Sequence, residues 1–149
     1  GEAVMAAYDA AIAHFIAAQP FTPDPSLPHA AQMLLQGLAS PANLPFAREL
    51  WIADAAALLK QIQVPVLIVI GKKDIQVDWQ ADGEPLQRAA GKKDVTFIFP
   101  ENANHVQKYE PQSRAELVPT EVAAGYNAPD AHLDEEAQAG ILKWLAAHA

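Results

Sequence analysis

The sequence predicts an α/β fold, and three observations predict it. Residues 64–70 read VPVLIVI and residues 95–99 read VTFIF, two short apolar runs rich in β-branched residues. Such runs suit strands buried on both faces of a parallel sheet. Between them DGEPLQRAAG reads as one short helix, with Pro85 in its first turn and Gly91 as its stop. Strand, helix and strand make a βαβ unit, whose two strands run parallel. Elsewhere the apolar residues recur mainly at helical period, so the expected architecture is two parallel strands, about 64–70 and 95–99, with several helices.

The elements follow in chain order. Residues 2–18 form an alanine-rich helix in which Val4, Tyr8, Ile12, Phe15 and Ile16 fall close to helical period. It stops before PFTPDPSLP, where four prolines in nine residues enforce an extended connection. Pro28 suits the first turn of a helix through Leu38 with Met33, Leu34, Leu35 and Leu38 as its apolar stripe. A third helix begins near Pro45 and carries Phe46, Leu50, Trp51 and Ile52, and Asp54 fits an N-cap for ADAAALLKQ. Beyond the second strand, residues 109–132 are irregular, with Pro111, Pro119, Gly125 and Pro129, a turn of helix over 116–124, and a turn at YNAPD. Asp134 then N-caps the last helix, with Glu135 and Glu136 in its positive first turn and Ala137, Ile141, Trp144 and Leu145 as its buried face.

Composition excludes several classes of function. A formal charge of -8 with scattered Lys and Arg gives no basic face for a nucleic-acid partner. The chain has no Cys, which removes disulfides, thiolate metal sites and cysteine nucleophiles together and fits either redox environment. No apolar run approaches the roughly 18 residues of a membrane span. The five histidines show no metal-ligand spacing and no glycine-rich phosphate loop occurs, so neither a metal nor a cofactor is expected. The chain opens with Gly1-Glu2 and no initiator Met, which reads as a fragment whose true N-terminus lies upstream.

The βαβ unit fixes where chemistry can sit, because open α/β sheets place their working groups just beyond the carboxyl ends of the strands. Asp74 follows the first strand and His105 the second. With adjacent strands about 4.8 Å apart, the two loops can bring a carboxylate onto an imidazole. A carboxylate accepting the Nδ1 proton of a histidine fixes its tautomer and stabilises the imidazolium, which is two thirds of a nucleophilic triad. Plainer readings stand beside these roles: Asp74 as a turn former after Gly71, and His105 as a loop histidine bonded to backbone. Asp78 is the rival acid, while His14, His29, His132 and His148 have no acidic partner at a defined spacing. GKKD occurs at both Gly71 and Gly91, but Asp94 precedes its strand and belongs to the opposite end of the sheet.

PVLIVIGKKD followed by NANHVQK, with YNAPD and LDEEAQAGILKWL beyond, resembles the C-terminal half of an α/β-hydrolase of the serine aminopeptidase and monoglyceride-lipase branch. The resemblance implies Asp74 as the triad acid, His105 as the base, residues 1–52 as a helical cap and residues 53–149 as the core segment. The nucleophile elbow G-x-S-x-G of such proteins is absent. Ser26, Ser40 and Ser113 are not flanked by glycines. The resemblance therefore implies part of a serine hydrolase for an ester, thioester or amide, inactive alone and engaging a small-molecule substrate only with the missing half. The other expectation is a non-catalytic half-fold that binds a partner or self-associates. Without its family neighbour, the 64–70 strand keeps an open apolar edge, which predicts a homodimer joined by antiparallel pairing of those strands.

Overall fold

The computed structural model describes residues 2–91 and 94–149 and is mixed α/β. The chain packs as two compact units, residues 1–54 and residues 55–149. Lys92 and Lys93 of the second GKKD copy lie outside the described residues.

The first unit is three helices: α1 (Glu2–Ile16), α2 (His29–Leu38) and α3 (Leu44–Ile52). Its core is Ala7, Ala11, Phe15, Leu27, Leu35 and Ala47. Alanine at the buried positions of α1 and α3 lets the two helices approach closely around Phe15, which meets Trp51 edge-on at a ring separation of 6.3 Å. The buried face of α1 is thus Ala7, Ala11 and Phe15, while Ile16 is exposed. Helix α1 ends at Ile16, short of the expected residue 18, because Ala18 takes a positive φ of 52° and Arg48 Nε donates to the Ile16 carbonyl. On α2 only Leu35 of the expected stripe is buried, with Met33 and Leu34 exposed. On α3 the exposed side chains include Phe46, Leu50 and Ile52, and Ala47 makes the buried contact. Large apolar residues at helical spacing marked the helices and part of each inward face: Phe15 and Leu35 are buried and Val4, Tyr8, Leu38 and Trp51 pack against the core, while Ala7, Ala11 and Ala47 fill positions where the helices approach closely.

The second unit begins with α4 (Ala55–Leu59), a single short stretch with Leu59 buried. Strands β1 (Val66–Val69) and β2 (Val95–Ile98) pair in parallel with Val66 opposite Val95 and Val69 opposite Ile98. Both strands are shorter than their apolar runs. Pro65 carries no N–H to bond, so β1 starts after it and Val64 stays exposed, and Pro100 closes β2 in the same way.

Between the strands the chain forms one π turn, Trp79–Gly83, and then α5 (Glu84–Ala90), so the crossover is longer and less regular than one short helix. Gly91 ends α5 with φ 61° and ψ −121°, a backbone that a side chain rarely permits. Helix α6 (Pro119–Gly125) starts three residues later than expected, where Pro119 fits the first turn, and a 3₁₀ turn (Arg114–Glu116) precedes it. Helix α7 (Glu135–His148) lies against the sheet, and a Cβ on Gly140 would sit 2.6 Å from Ile98 Cδ1. Asp134 caps α7 through the Ala137 N–H at 2.9 Å; of the expected face Ala137 is buried and Leu145 is exposed.

Each residue of β1 and β2 is only half-buried, not sealed on both faces. The reason is the strand count: among the described residues the sheet has two strands, so neither strand has a second neighbour. The ladder alternates. Val66 N–H donates to Asp94 O and Ile70 N–H to Ile98 O, so in parallel geometry the Leu67 and Val69 amides of β1 point away from β2.

The pairing does not stop where the strands stop. Lys72 N–H donates to Pro100 O and Lys73 N–H to Ala103 O, which zips the loop after β1 onto the loop after β2. Gly71 permits this: a Cβ there would lie 2.0 Å from the Ala103 carbonyl oxygen, well inside van der Waals contact. Gly71→Ala is therefore expected to destabilise the second unit by about 3 kcal/mol through overpacking against backbone. Gly125→Ala, with nothing within 4 Å of the new methyl, is expected to change stability by no more than about 0.5 kcal/mol. Urea unfolding of the two variants checks the contrast, and equal midpoints would contradict it.

Candidate acid–base site

The zipped loops place Asp74 and His105 side by side. Asp74 Oδ2 lies 2.9 Å from His105 Nδ1. The sequence places them 31 residues apart, and the ladder that runs on past β1 and β2 closes that gap.

The carboxylate is built in before it meets the imidazole. Asp74 N–H donates to Gly71 O, closing a tight turn directly after the strand. Asp74 Oδ1 then accepts from Gln76 N–H at 2.7 Å and Val77 N–H at 3.0 Å, an Asx-type arrangement of the kind that favours Asp in turns. One oxygen of Asp74 therefore folds the turn, as the plain reading expects, and the other faces the histidine. The side chain is only 4% exposed, so desolvation is offset by three hydrogen bonds, the condition under which a buried carboxylate is tolerated.

His105 is held differently. It sits at the tip of a turn whose anchor is Asn104, itself buried. Asn104 Oδ1 accepts from Val106 N–H and Lys108 N–H, both at 3.1 Å, while Asn104 N–H donates to Lys108 O and Gln107 N–H donates to Asn104 O. Gln107 closes the turn with a positive φ of 60°. An isolated antiparallel bridge between Ala103 and Tyr109 fastens the base of the turn. The His105 side chain is 37% exposed, and its Nε2 accepts or donates no hydrogen bond among the described residues. The pair is thus asymmetric, with a buried acid and an imidazole whose far nitrogen is open.

The rival acid is engaged elsewhere. Asp78 Oδ1 accepts from Gln80 N–H and Ala81 N–H and so caps the π turn, and Asp78 Oδ2 lies 2.7 Å from Arg114 Nη2. The Ala81 amide, the Arg114 guanidinium and the Gln80 amide hold its carboxyl below the usual carboxylate range. Asp94 stands at the other end of the sheet, exposed, 3.9 Å from His148 Nε2. His132 stacks on Tyr109 and bonds backbone, and His148 stacks on Trp144.

What the pair can do follows from its geometry. An Asp-held Nδ1 leaves Nε2 as the nitrogen that takes or gives a proton. Among the described residues no hydroxyl is hydrogen-bonded to His105, and the Ser113 hydroxyl is committed to Glu116 Oε2 in a capping box. The sequence pointed to Asp74 and His105 through their positions after the two strands; Arg114 and the Asn104 scaffold carried no signal of spacing, although Asn next to a loop histidine is a turn former in its own right. No family model, curated protein or solved structure matches the chain.

Proposed function

We propose that this chain supplies the acid and base of a serine hydrolase acting on an ester, thioester or amide, with the nucleophile and oxyanion donors coming from a segment outside this sequence. The observation that carries the proposal is the 2.9 Å contact between the buried Asp74 carboxylate and His105 Nδ1 at the carboxyl ends of two parallel strands. The resemblance of PVLIVIGKKD and NANHVQK to the C-terminal half of an α/β-hydrolase supports the same roles.

In that reaction the incoming serine Oγ attacks the substrate carbonyl carbon and gives its proton to His105 Nε2. Asp74 keeps the imidazole in the tautomer that has Nε2 free and stabilises the imidazolium as it forms. The imidazolium then protonates the leaving alcohol, thiol or amine, and an acyl-serine results. Water, deprotonated by the same nitrogen, hydrolyses the acyl-serine and regenerates the hydroxyl. The negative charge on the carbonyl oxygen needs backbone donors, which the proposal assigns to the same external segment as the serine.

The test follows from the missing partner. This chain alone is expected to turn over p-nitrophenyl acetate and butyrate no faster than its His105→Ala variant, because triad members act as a unit. Saturable turnover abolished by that substitution would show a nucleophile inside the chain and overturn this form of the proposal.

A second reading is favoured by the half-buried strands and by the outward amides of Leu67 and Val69: a module that self-associates along the free edge of β1. An antiparallel two-fold pairing of β1 with its copy satisfies those amides and covers apolar side chains. Light scattering at micromolar concentration is expected to give a dimer, and Leu67→Pro, which removes one outward donor, is expected to return it to a monomer. A monodisperse wild-type monomer would reject the self-association reading.

A further inference from the structure

We propose that Arg114 is a positioning residue for the acid and base, a strut across the loop that carries Asp74. The inference rests on the reading of Asp74 and His105 as an acid–base pair. Arg114 Nε donates to the Asp74 carbonyl oxygen at 3.2 Å, and Arg114 Nη2 lies 2.7 Å from Asp78 Oδ2. One guanidinium therefore grips both ends of the loop 74–78.

The grip matters because of what lies between its two ends. The Asp74 carbonyl belongs to the peptide plane that leads into Ile75, and the next two amides, Gln76 and Val77, are the donors that hold Asp74 Oδ1. Fixing that plane fixes the two donors, and fixing the donors leaves Oδ2 turned toward His105 Nδ1. At the far end Asp78 caps the π turn, whose Gly83 packs so closely that a Cβ there would lie 2.8 Å from the Phe99 ring. The loop is thus tied at one end to the sheet and at the other to the turn packed on it.

Arg114 is itself held in place. It opens a 3₁₀ turn whose Ser113 and Glu116 form a reciprocal capping box. Lys73 Nζ also reaches this segment, donating to the Gln112 carbonyl and, at 3.5 Å, to the Glu110 carbonyl. Bonding a carbonyl and a carboxylate together calls for arginine, whose planar fork holds several donors in fixed directions, whereas a lysine ammonium is a single point charge.

The experiment uses the whole chain and reads the tautomer of His105 directly, by two-dimensional ¹H–¹⁵N correlation of the imidazole nitrogens at a pH where the ring is neutral. Free imidazole side chains favour the Nε2–H form, so a dominant Nδ1–H form is the signature of donation to Asp74. In the wild type the Nδ1–H form is expected to dominate. In Arg114→Gln and Arg114→Lys it is expected to become the minor form, with the amide signals of β1 and β2 unmoved. Asp78→Asn keeps the Oδ1 cap but replaces the charged acceptor facing Arg114 with an NH2 donor, so that end of the grip is lost; it is expected to shift the population in the same direction by less, and it carries the test if Arg114→Gln disturbs the fold. A wild type without a dominant Nδ1–H form would overturn the acid–base reading itself. A wild type with it, and Arg114→Lys and Asp78→Asn unchanged from it, would overturn the role of Arg114 alone.

Discussion

The close approach of Gly71 to the Ala103 carbonyl is the contact on which the arrangement of the second unit turns. A parallel pair of four-residue strands is a short scaffold, and each net backbone hydrogen bond contributes only about 1 kcal/mol. What extends it is the continuation of the ladder past the carboxyl ends of both strands, through Lys72 to Pro100 and Lys73 to Ala103. Any side chain at position 71 would force these loops apart by the width of a methyl group. Asp74 and His105 meet just beyond this contact, on the two loops that it holds together.

Once the loops are zipped, polar groups rather than apolar packing set the details. Asp74 uses one oxygen to fold its own turn and the other to face the histidine, and Asn104 fastens the turn that presents His105. Such networks are stabilising only when every buried member is satisfied. The described hydrogen bonds meet that condition for both oxygens of Asp74 and for the carbonyl oxygen of the Asn104 side chain. The result is a fixed carboxylate and an imidazole with one open nitrogen, which is the division of labour that the proposed hydrolase needs.

Much of this was legible from residue types. The β-branched runs located both strands, Pro100 bounded the second, and Asp134 announced the last helix by its capping chemistry, whereas the first strand starts only after Pro65 and not at Val64. The placement of Asp74 and His105 followed from parallel topology, because both loops leave the same edge of the sheet. What was hidden depended on tertiary partners. Half-burial of β1 and β2 reflects how many strands the sheet has, which an apolar run cannot report. In the first unit half of the core positions are alanines, Ala7, Ala11 and Ala47, beside Phe15, Leu27 and Leu35, while Met33, Leu34 and Phe46 are exposed, and apolar spacing alone does not single out the alanines. Arg114 was silent for a related reason: a guanidinium 40 residues along the chain acquires its meaning only when its loop is folded against the one that follows β1.

The central claim is that Asp74 and His105 are two thirds of a nucleophilic triad, and it is tested most directly on the product of the complete reading frame that contains this sequence. That product, treated with a fluorophosphonate probe and digested for mass spectrometry, is expected to carry one adduct on a serine flanked by glycines upstream of Glu2. Labelling is expected to fall by orders of magnitude in His105→Ala and Asp74→Asn, as loss of a triad member does. A reading frame without such a serine, or an adduct formed equally well in both variants, would contradict the account.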